Sequence, residues 1–380
     1  MEIICDKEIC TGCGLCASMC PKQCIKMVTV GNLGHLYPQI DQDECVDCGL
    51  CKKKCPSLNT PIQTVPITAY AAIAKDKEEY SSSTSGGAAS VFSRYIIEKD
   101  GVVYGCAVVE DDDVIDIKHI RVDSLADLYR LKGSKYVQSR ITDIIPQLKE
   151  DIKKGKKVLF IGTPCQCAAI NNIYGKTPEN LYLVDLICHG VPSLDLLKRH
   201  IKNVLPNKQV SKLSFRDGNE LKLSIVATDN TLYCKSTVVD RFKEFYYDTF
   251  IDGCTFRESC YTCPYAKPNR CSDITIGDFW GLQKDADEYL PNHTIGTSVL
   301  LPVSEKGKCL IQATSQRFNL VERTVNEAVK GNHQLRQSSY KGWRTKVFRC
   351  LAKFIRIQTA YKITVFDRIV RHSLSKLTKR

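Results

Sequence analysis

Cys10-Thr11-Gly12-Cys13-Gly14-Leu15-Cys16-Ala17-Ser18-Met19-Cys20-Pro21 returns 35 residues later as Cys45-Val46-Asp47-Cys48-Gly49-Leu50-Cys51-Lys52-Lys53-Lys54-Cys55-Pro56. Each copy spaces three cysteines by two residues, adds a fourth after three more, and closes on proline. Three thiolates so spaced wrap three corners of an inorganic cubane, and the fourth corner comes from the other copy. The pattern predicts a two-cluster ferredoxin-like domain over residues 1–60. Cys10, Cys13, Cys16 and Cys55 are assigned to one [4Fe–4S] cluster, and Cys45, Cys48, Cys51 and Cys20 to a second. The glycines in Gly12-Cys13-Gly14 and Asp47-Cys48-Gly49 give the loops a permissive backbone. Structural zinc also takes C-x2-C pairs, but it has no use for a third cysteine at the same spacing, duplicated. Cys5 and Cys24 fall outside the pattern and read as small buried apolar residues.

The rest of the composition agrees with that chemistry. The chain has 380 residues, 21 of them cysteine, behind a start (Met1-Glu2-Ile3-Ile4-Cys5-Asp6) that is neither basic nor apolar. A secreted disulfide scaffold would be short and would follow a signal peptide, so metal or redox chemistry in a reducing cytoplasm is expected. No apolar run is long enough to cross a membrane. The net charge of +12 does not point to nucleic acid, because residues 341–380 hold twelve Lys/Arg against Asp367 alone. The body before them is close to neutral, and no nucleic-acid partner is expected.

The three prolines of residues 56–66 mark a linker. Beyond it, apolar β-branched runs alternate with helical segments. Strands are expected over 70–74, 102–109 paired with 114–122, 157–161, 181–187, 273–276 and 298–303. A hairpin is expected from 221–228 and 232–237 around Asp229-Asn230. Helices are expected over 87–98, from Ser124 to 131, 141–154, 168–173, from Ser193, 241–251, after Ser304 and near 325–329. The fold class is thus α+β or α/β: a ferredoxin-like domain, then an α/β body on a mixed sheet, then a basic helical tail. In such sheets the reactive residues collect at the carboxyl ends of strands. That places Cys165, in Gly162-Thr163-Pro164-Cys165-Gln166, and Cys188, in Cys188-His189-Gly190-Val191-Pro192-Ser193, on one rim. Arg257-Glu258-Ser259-Cys260-Tyr261-Thr262-Cys263-Pro264 adds a chelating pair ahead of Ser272 to Gly281.

These body segments, with Ser81-Ser82-Ser83-Thr84-Ser85-Gly86-Gly87-Ala88 and Gly133-Ser134-Lys135-Tyr136-Val137-Gln138-Ser139, occur in an order that resembles the beta subunits of coenzyme F420-reducing hydrogenases and F420-linked dehydrogenases. The resemblance covers about residues 69–315. It implies an N-terminal-like region over 69–155 and a C-terminal-like region over 156–335, followed by the tail at 341–380. It also implies an FAD-binding iron–sulfur oxidoreductase that passes electrons between clusters and a two-electron acceptor, F420-like or other. Ser85, Gly86 and Gly87 open a helix whose amides suit a pyrophosphate, and Gly133, Ser134 and Lys135 place a cation near the flavin. Cys165, Cys188, Cys260 and Cys263 are candidates for a third [4Fe–4S] cluster, with zinc as the alternative and Cys271 as a rival ligand. His189 is either a proton donor or a locally bonded helix-heading residue. No catalytic residue is assigned.

Residues 341–380 interleave bases with apolar residues as one or two amphipathic helices, which could reach the inner face of a membrane or pack on the body. The alternative to an enzyme is a non-catalytic subunit that relays electrons to a redox partner protein; a zinc-stabilised binding module carrying a ferredoxin is a third reading.

Overall fold

The computed structural model describes residues 3–111, 114–218, 220–286, 290 and 296–377. The two cysteine loops flank an antiparallel hairpin, β1 (Ile25–Val30) and β2 (His35–Ile40), and each continues into a single helical turn, Leu15–Ser18 and Leu50–Lys53. The next strands are β3 (Ala69–Ala74), β4 (Val102–Asp111), β5 (Val114–Val122), β6 (Val158–Gly162) and β7 (Leu181–Leu186). After them come β8 (Val210–Asp217), β9 (Glu220–Ala227), β10 (Leu232–Ser236), β11 (Ile274–Asp278), β12 (Ser298–Pro302) and β13 (Phe318–Arg323).

Eight of these form one sheet in the order β13-β3-β12-β11-β7-β6-β4-β5. β4, β6, β7 and β11 pair in parallel, while β12, β13 and β5 run against their neighbours. β3 lies between two antiparallel partners and so shares the direction of the parallel set. The sheet draws strands from both sides of residue 155. Side chains alternate between its two faces, as the pleat requires. Val103, Leu159 and Val184 pack under the helices Ala88–Ile97 and Glu305–Thr314. Val102, Tyr104, Val158, Phe160 and Leu183 pack under Ile145–Lys153 and Pro164–Tyr174. Burial on both faces is what parallel strands need.

β8, β9 and β10 form a separate sheet that shares a core with the helices Leu194–Val204 and Phe245–Ile251. The hairpin around Asp229 and Asn230 is present, but β8 was not expected from sequence. Its register slips twice, between Val210 and Lys212 and between Ser214 and Arg216, which breaks the alternation that would have revealed it. The helix expected over 168–173 starts earlier, at Pro164, because Thr163 and Gln166 form a capping box there. The one expected from 241 starts later, at Phe245, where the Glu244 carboxylate accepts the Tyr247 amide.

The linker is pinned rather than loose. Thr64 and Arg270 exchange backbone hydrogen bonds of 2.8 and 2.9 Å, and the Ile67 amide donates to Pro302.

Candidate electron-transfer site

Gly12, Gly14 and Gly49, with Asp47, take positive φ in the two cysteine loops. That bend brings Cys10, Cys13, Cys16 and Cys55 around one cavity, walled by Ile4, Met27 and Pro38. Cys20, Cys45, Cys48 and Cys51 surround a second, walled by Ile25, Ile40, Val46 and Leu50. Cys55 and Cys20 have therefore exchanged loops. Backbone amides point at the sulfurs, those of Gly12, Leu15 and Ala17 at Cys10, Cys13 and Cys16, and those of Lys22, Gln23 and Cys24 at Cys20. Such donors stabilise thiolates and set a bound cluster's potential. A cubane's ligand set, apolar wall and amide donors are all present, so the residues fit the group.

Cys5 and Cys24 differ from the sequence reading, being more than apolar filling. The Cys5 thiol hydrogen-bonds both Cys10 and Cys55, and holds both thiols below their ordinary range. Cys24 Sγ lies 3.4 Å from Cys20 Sγ. Each cavity thus has a fifth cysteine beside its four. Spacing could not show it, since neither belongs to the repeat.

The first loop is joined to the body by Arg257. Its guanidinium is 1% exposed, donates to Cys10 O at 3.2 Å, Leu36 O at 2.6 Å and Gln138 Oε1 at 3.1 Å, and lies over the Tyr37 ring. Gln138 in turn donates to Thr11 O. Among the described residues no carboxylate pairs with Arg257; its charge is felt by the thiols Cys10, Cys165 and Cys260 and by His35 and Tyr37. A buried cation needs compensating negative charge, and cluster-bound thiolates on either side would supply it.

Cys165, Cys188, Cys260 and Cys263 come together from three elements. Cys165 sits in the first turn after β6, Cys188 just past β7, and Cys260 and Cys263 on and after the short helix Glu258–Thr262. Burial raises all four thiols, Cys260 to about 12 and Cys263 to about 11, and repulsion from the neighbouring cysteines adds to it at Cys188, Cys260 and Cys263. Cys165 also faces Cys13 of the first loop. Cys271 packs with Ala168 and Tyr265 against Cys165 and Cys263.

The carboxyl ends of the parallel strands hold the remaining candidates. Ser85 has φ 57 and Gly87 φ 80, and Gly87 precedes the helix Ala88–Ile97 with no side-chain cap. Gly86 is fixed by close approach, since a Cβ there would strike Ala72 O, and its amide donates to Ser298 Oγ at 2.9 Å. Ser134 Oγ reaches Thr84 Oγ1 at 3.3 Å, so the two expected flavin segments meet. Lys135 Nζ donates to Leu131 O and Lys132 O, burial lowers its pKa, and among the described residues no carboxylate pairs with it. The Ser83 and Ser85 hydroxyls are buried without a partner. An uncapped helix start, two orphaned hydroxyls and an unpaired cation form a set that an anionic group would complete. Gly133 is exposed with φ 80, and a Cβ added there would meet open space.

Two further groups at this rim were not expected. His119 accepts from Ser139 Oγ and donates to Ile161 O, while Gln166 donates to Ser139, so the histidine is neutral, its pKa lowered by burial to about 4. Arg216 of β8 pairs with Asp278 at 3.0 Å, beside Tyr136. Asp278 is thus a partner for a cation from the small sheet. His189, its pKa lowered by burial, faces Asp278 and His333; Trp280 is 52% exposed.

The interleaved cysteine cavities define an iron–sulfur protein of the dicluster class, and residues 9–59 match the 4Fe-4S dicluster domain model. Residues 155–327 match the model of the C terminus of the coenzyme F420 hydrogenase/dehydrogenase beta subunit. Over that region the chain is similar to this family, and with its ferredoxin module it is an iron–sulfur electron-transfer protein related to F420 hydrogenase beta subunits. A chain in a solved structure of the F420-reducing [NiFe] hydrogenase complex from Methanosarcina barkeri is similar at 17% identity and TM-score 0.46, over 80% of this chain and 93% of that one. No curated protein matches.

Proposed function

We propose that the chain is an iron–sulfur flavoprotein oxidoreductase that passes electrons between its ferredoxin-type clusters and a two-electron acceptor by way of FAD. The observation that carries this reading is the alignment of three thiol groups toward one rim. Cys20, Cys45, Cys48 and Cys51 lie outermost, with Cys48 exposed. Cys10, Cys13, Cys16 and Cys55 lie against the body, and Cys13 faces Cys165 of the third group. Such an order suits single-electron relay from solvent to the rim.

Cys165, Cys188, Cys260 and Cys263 would hold a third [4Fe–4S] cluster. A zinc ion would instead draw all four thiolates to about 2.3 Å of one centre. At the rim, the Ser85-Gly86-Gly87 turn would hold a pyrophosphate with the Ala88 amide and the Ser83 and Ser85 hydroxyls, and Lys135 would balance negative charge. Bound FAD supplies the exchange between single-electron and hydride chemistry. The acceptor is a small electron acceptor or a redox partner protein.

Anoxic purification with iron, sulfide, zinc and flavin quantified together tests this. Three clusters give about 12 irons per chain with one FAD released on denaturation. About 8 irons with one zinc removes the third cluster, and iron-loaded protein without flavin removes the flavoprotein reading. It then leaves a relay subunit unable to reduce a dye or deazaflavin acceptor alone.

A further inference from the structure

The carboxyl-terminal helices Trp343–Leu351, Ile357–Thr364 and Phe366–Leu377 carry two apolar faces, not one. The inner face packs on the body: Phe348, Ala352, Ala360, Tyr361 and Val365 are buried in one cluster with Cys254, against Leu33, Phe242 and Phe245. Arg349 pairs with Glu258 and Arg368 with Asp252. That packing accounts for the amphipathic pattern of a surface helix, but it leaves a second set of apolar side chains in water.

The outer set is ordered. Trp343 (62% exposed) and Val347 lie four apart on one face of their helix, and Phe354 (80%) projects from the turn that follows it. Phe366 (67%), Val370 and Leu374 form another on the last helix, at spacings of four, beside exposed Ile363 near the end of the helix before it. The opposite sides of the same helices are seated on the body, so both stripes face outward. Exposed Lys346, Lys353, Arg356 and Lys362 flank them, and among the described residues these four have no carboxylate partner. Asp367 is already held by Arg344 and Arg371.

We infer that this outer surface docks the protein on an anionic lipid bilayer. Aromatic and aliphatic side chains projecting between lysines match the interfacial region of a membrane, where apolar groups enter the acyl boundary while ammonium groups stay at the phosphates. A second copy of the chain fits poorly, because two such faces would bring like charges together. Among the described residues no helix is long and apolar enough to cross a membrane, so the contact is peripheral.

The test is flotation of the full-length, cluster-loaded protein with vesicles of phosphatidylcholine alone or mixed with phosphatidylglycerol. The wild type is expected to float only with the anionic vesicles, and less as salt rises. Phe354→Asp with Phe366→Asp should weaken binding at least tenfold, and Lys346→Gln and Lys353→Gln about fivefold each. These side chains are exposed, so iron content and the circular-dichroism spectrum should not change. Removing residues 341–380 would uncover Cys254, Phe242 and Phe245, so point variants are the cleaner probe. Equal flotation with both vesicle types, unchanged flotation of the Phe variant, or no flotation while an acidic protein co-purifies through the same residues would each overturn the inference.

Discussion

The two cysteine loops are nearly the same sequence in different surroundings. In the first, the carbonyls of Cys10, Thr11 and Gly12 are taken by Arg257 and Gln138, Leu15 is fully buried in the body's core, and Ser18 Oγ donates to Thr142 O. In the second, a Cβ added at Gly49 would meet only open space, Val46 is 58% exposed, and Lys52 and Lys53 face water. A motif that specifies ligand geometry does not specify position in a relay; what packs around it does. The first loop is an internal junction; on the proposed relay, the second would meet whatever delivers or removes electrons.

The asymmetry is broken most severely at Arg257. Arg257→Ala leaves the Cys10 and Leu36 carbonyls without a donor and the neighbouring thiolates without a cation. It should cost about 3–5 kcal/mol of stability in anoxic denaturant titration. Lys52→Ala on the outer loop should stay within about 0.5 kcal/mol. A potentiometric titration followed by electron paramagnetic resonance should show the inner cluster shifted to lower potential in Arg257→Gln and the outer one unmoved; equal shifts would mean that the two loops do not differ electrostatically.

The glycines sharpen the same contrast at smaller scale. Gly12 and Gly49 both sit at positive φ, 64° and 69°, so alanine at either carries about 1–2 kcal/mol of backbone strain. Only at Gly12 would the added Cβ also run into the Arg257 guanidinium. Gly12→Ala should therefore be roughly 2 kcal/mol worse than Gly49→Ala, and should expose the linker near Thr64 to limited proteolysis. Similar losses for both would show that Arg257 moves aside at little cost.

How far the sequence carried depended on whether a signal was local. The cysteine spacing, the strand-turn-helix alternation and the caps at Ser124, Ser193 and Ser304 are local, and those elements lie where expected within a few residues. β13 was not expected, because its pairing with β3 joins residues about 250 positions apart and nothing in Phe318–Arg323 alone announces it. Arg257 was quoted only as the start of a cysteine motif. Its role appears once β2 and the first loop fold against it, and no single-chain pattern encodes that meeting. Cys5, Cys24 and His119 were missed for the same reason: each takes its importance from a neighbour distant in sequence or outside the repeat.

The smallest expected effect separates the seam from the body interior by pH. His35 on β2 donates from Nε2 to Thr255 O at 3.1 Å across the seam, and its Nδ1 is buried without a partner. Burial, with the Arg257 and Arg349 charges facing it, lowers its pKa to about 3, while burial lowers that of His119, which faces Lys135, to about 4. Both rings are neutral when folded and titrate near 6.5 when exposed. The unfolded chain therefore binds more protons between those values, and stability falls as pH drops below about 6.5 toward the folded pKa. From about pH 7.5 to about pH 5.5 each histidine should remove about 1.4 kcal/mol. His35→Gln can keep the bond to Thr255 while removing the titration, so its seam should resist proteolysis at the lower pH better than wild type; His119→Gln should leave seam cleavage unchanged and flatten only the global denaturation curve. If both variants flatten both measurements alike, the ferredoxin module and the body unfold as one unit, and the two loops differ in surroundings without differing in stability.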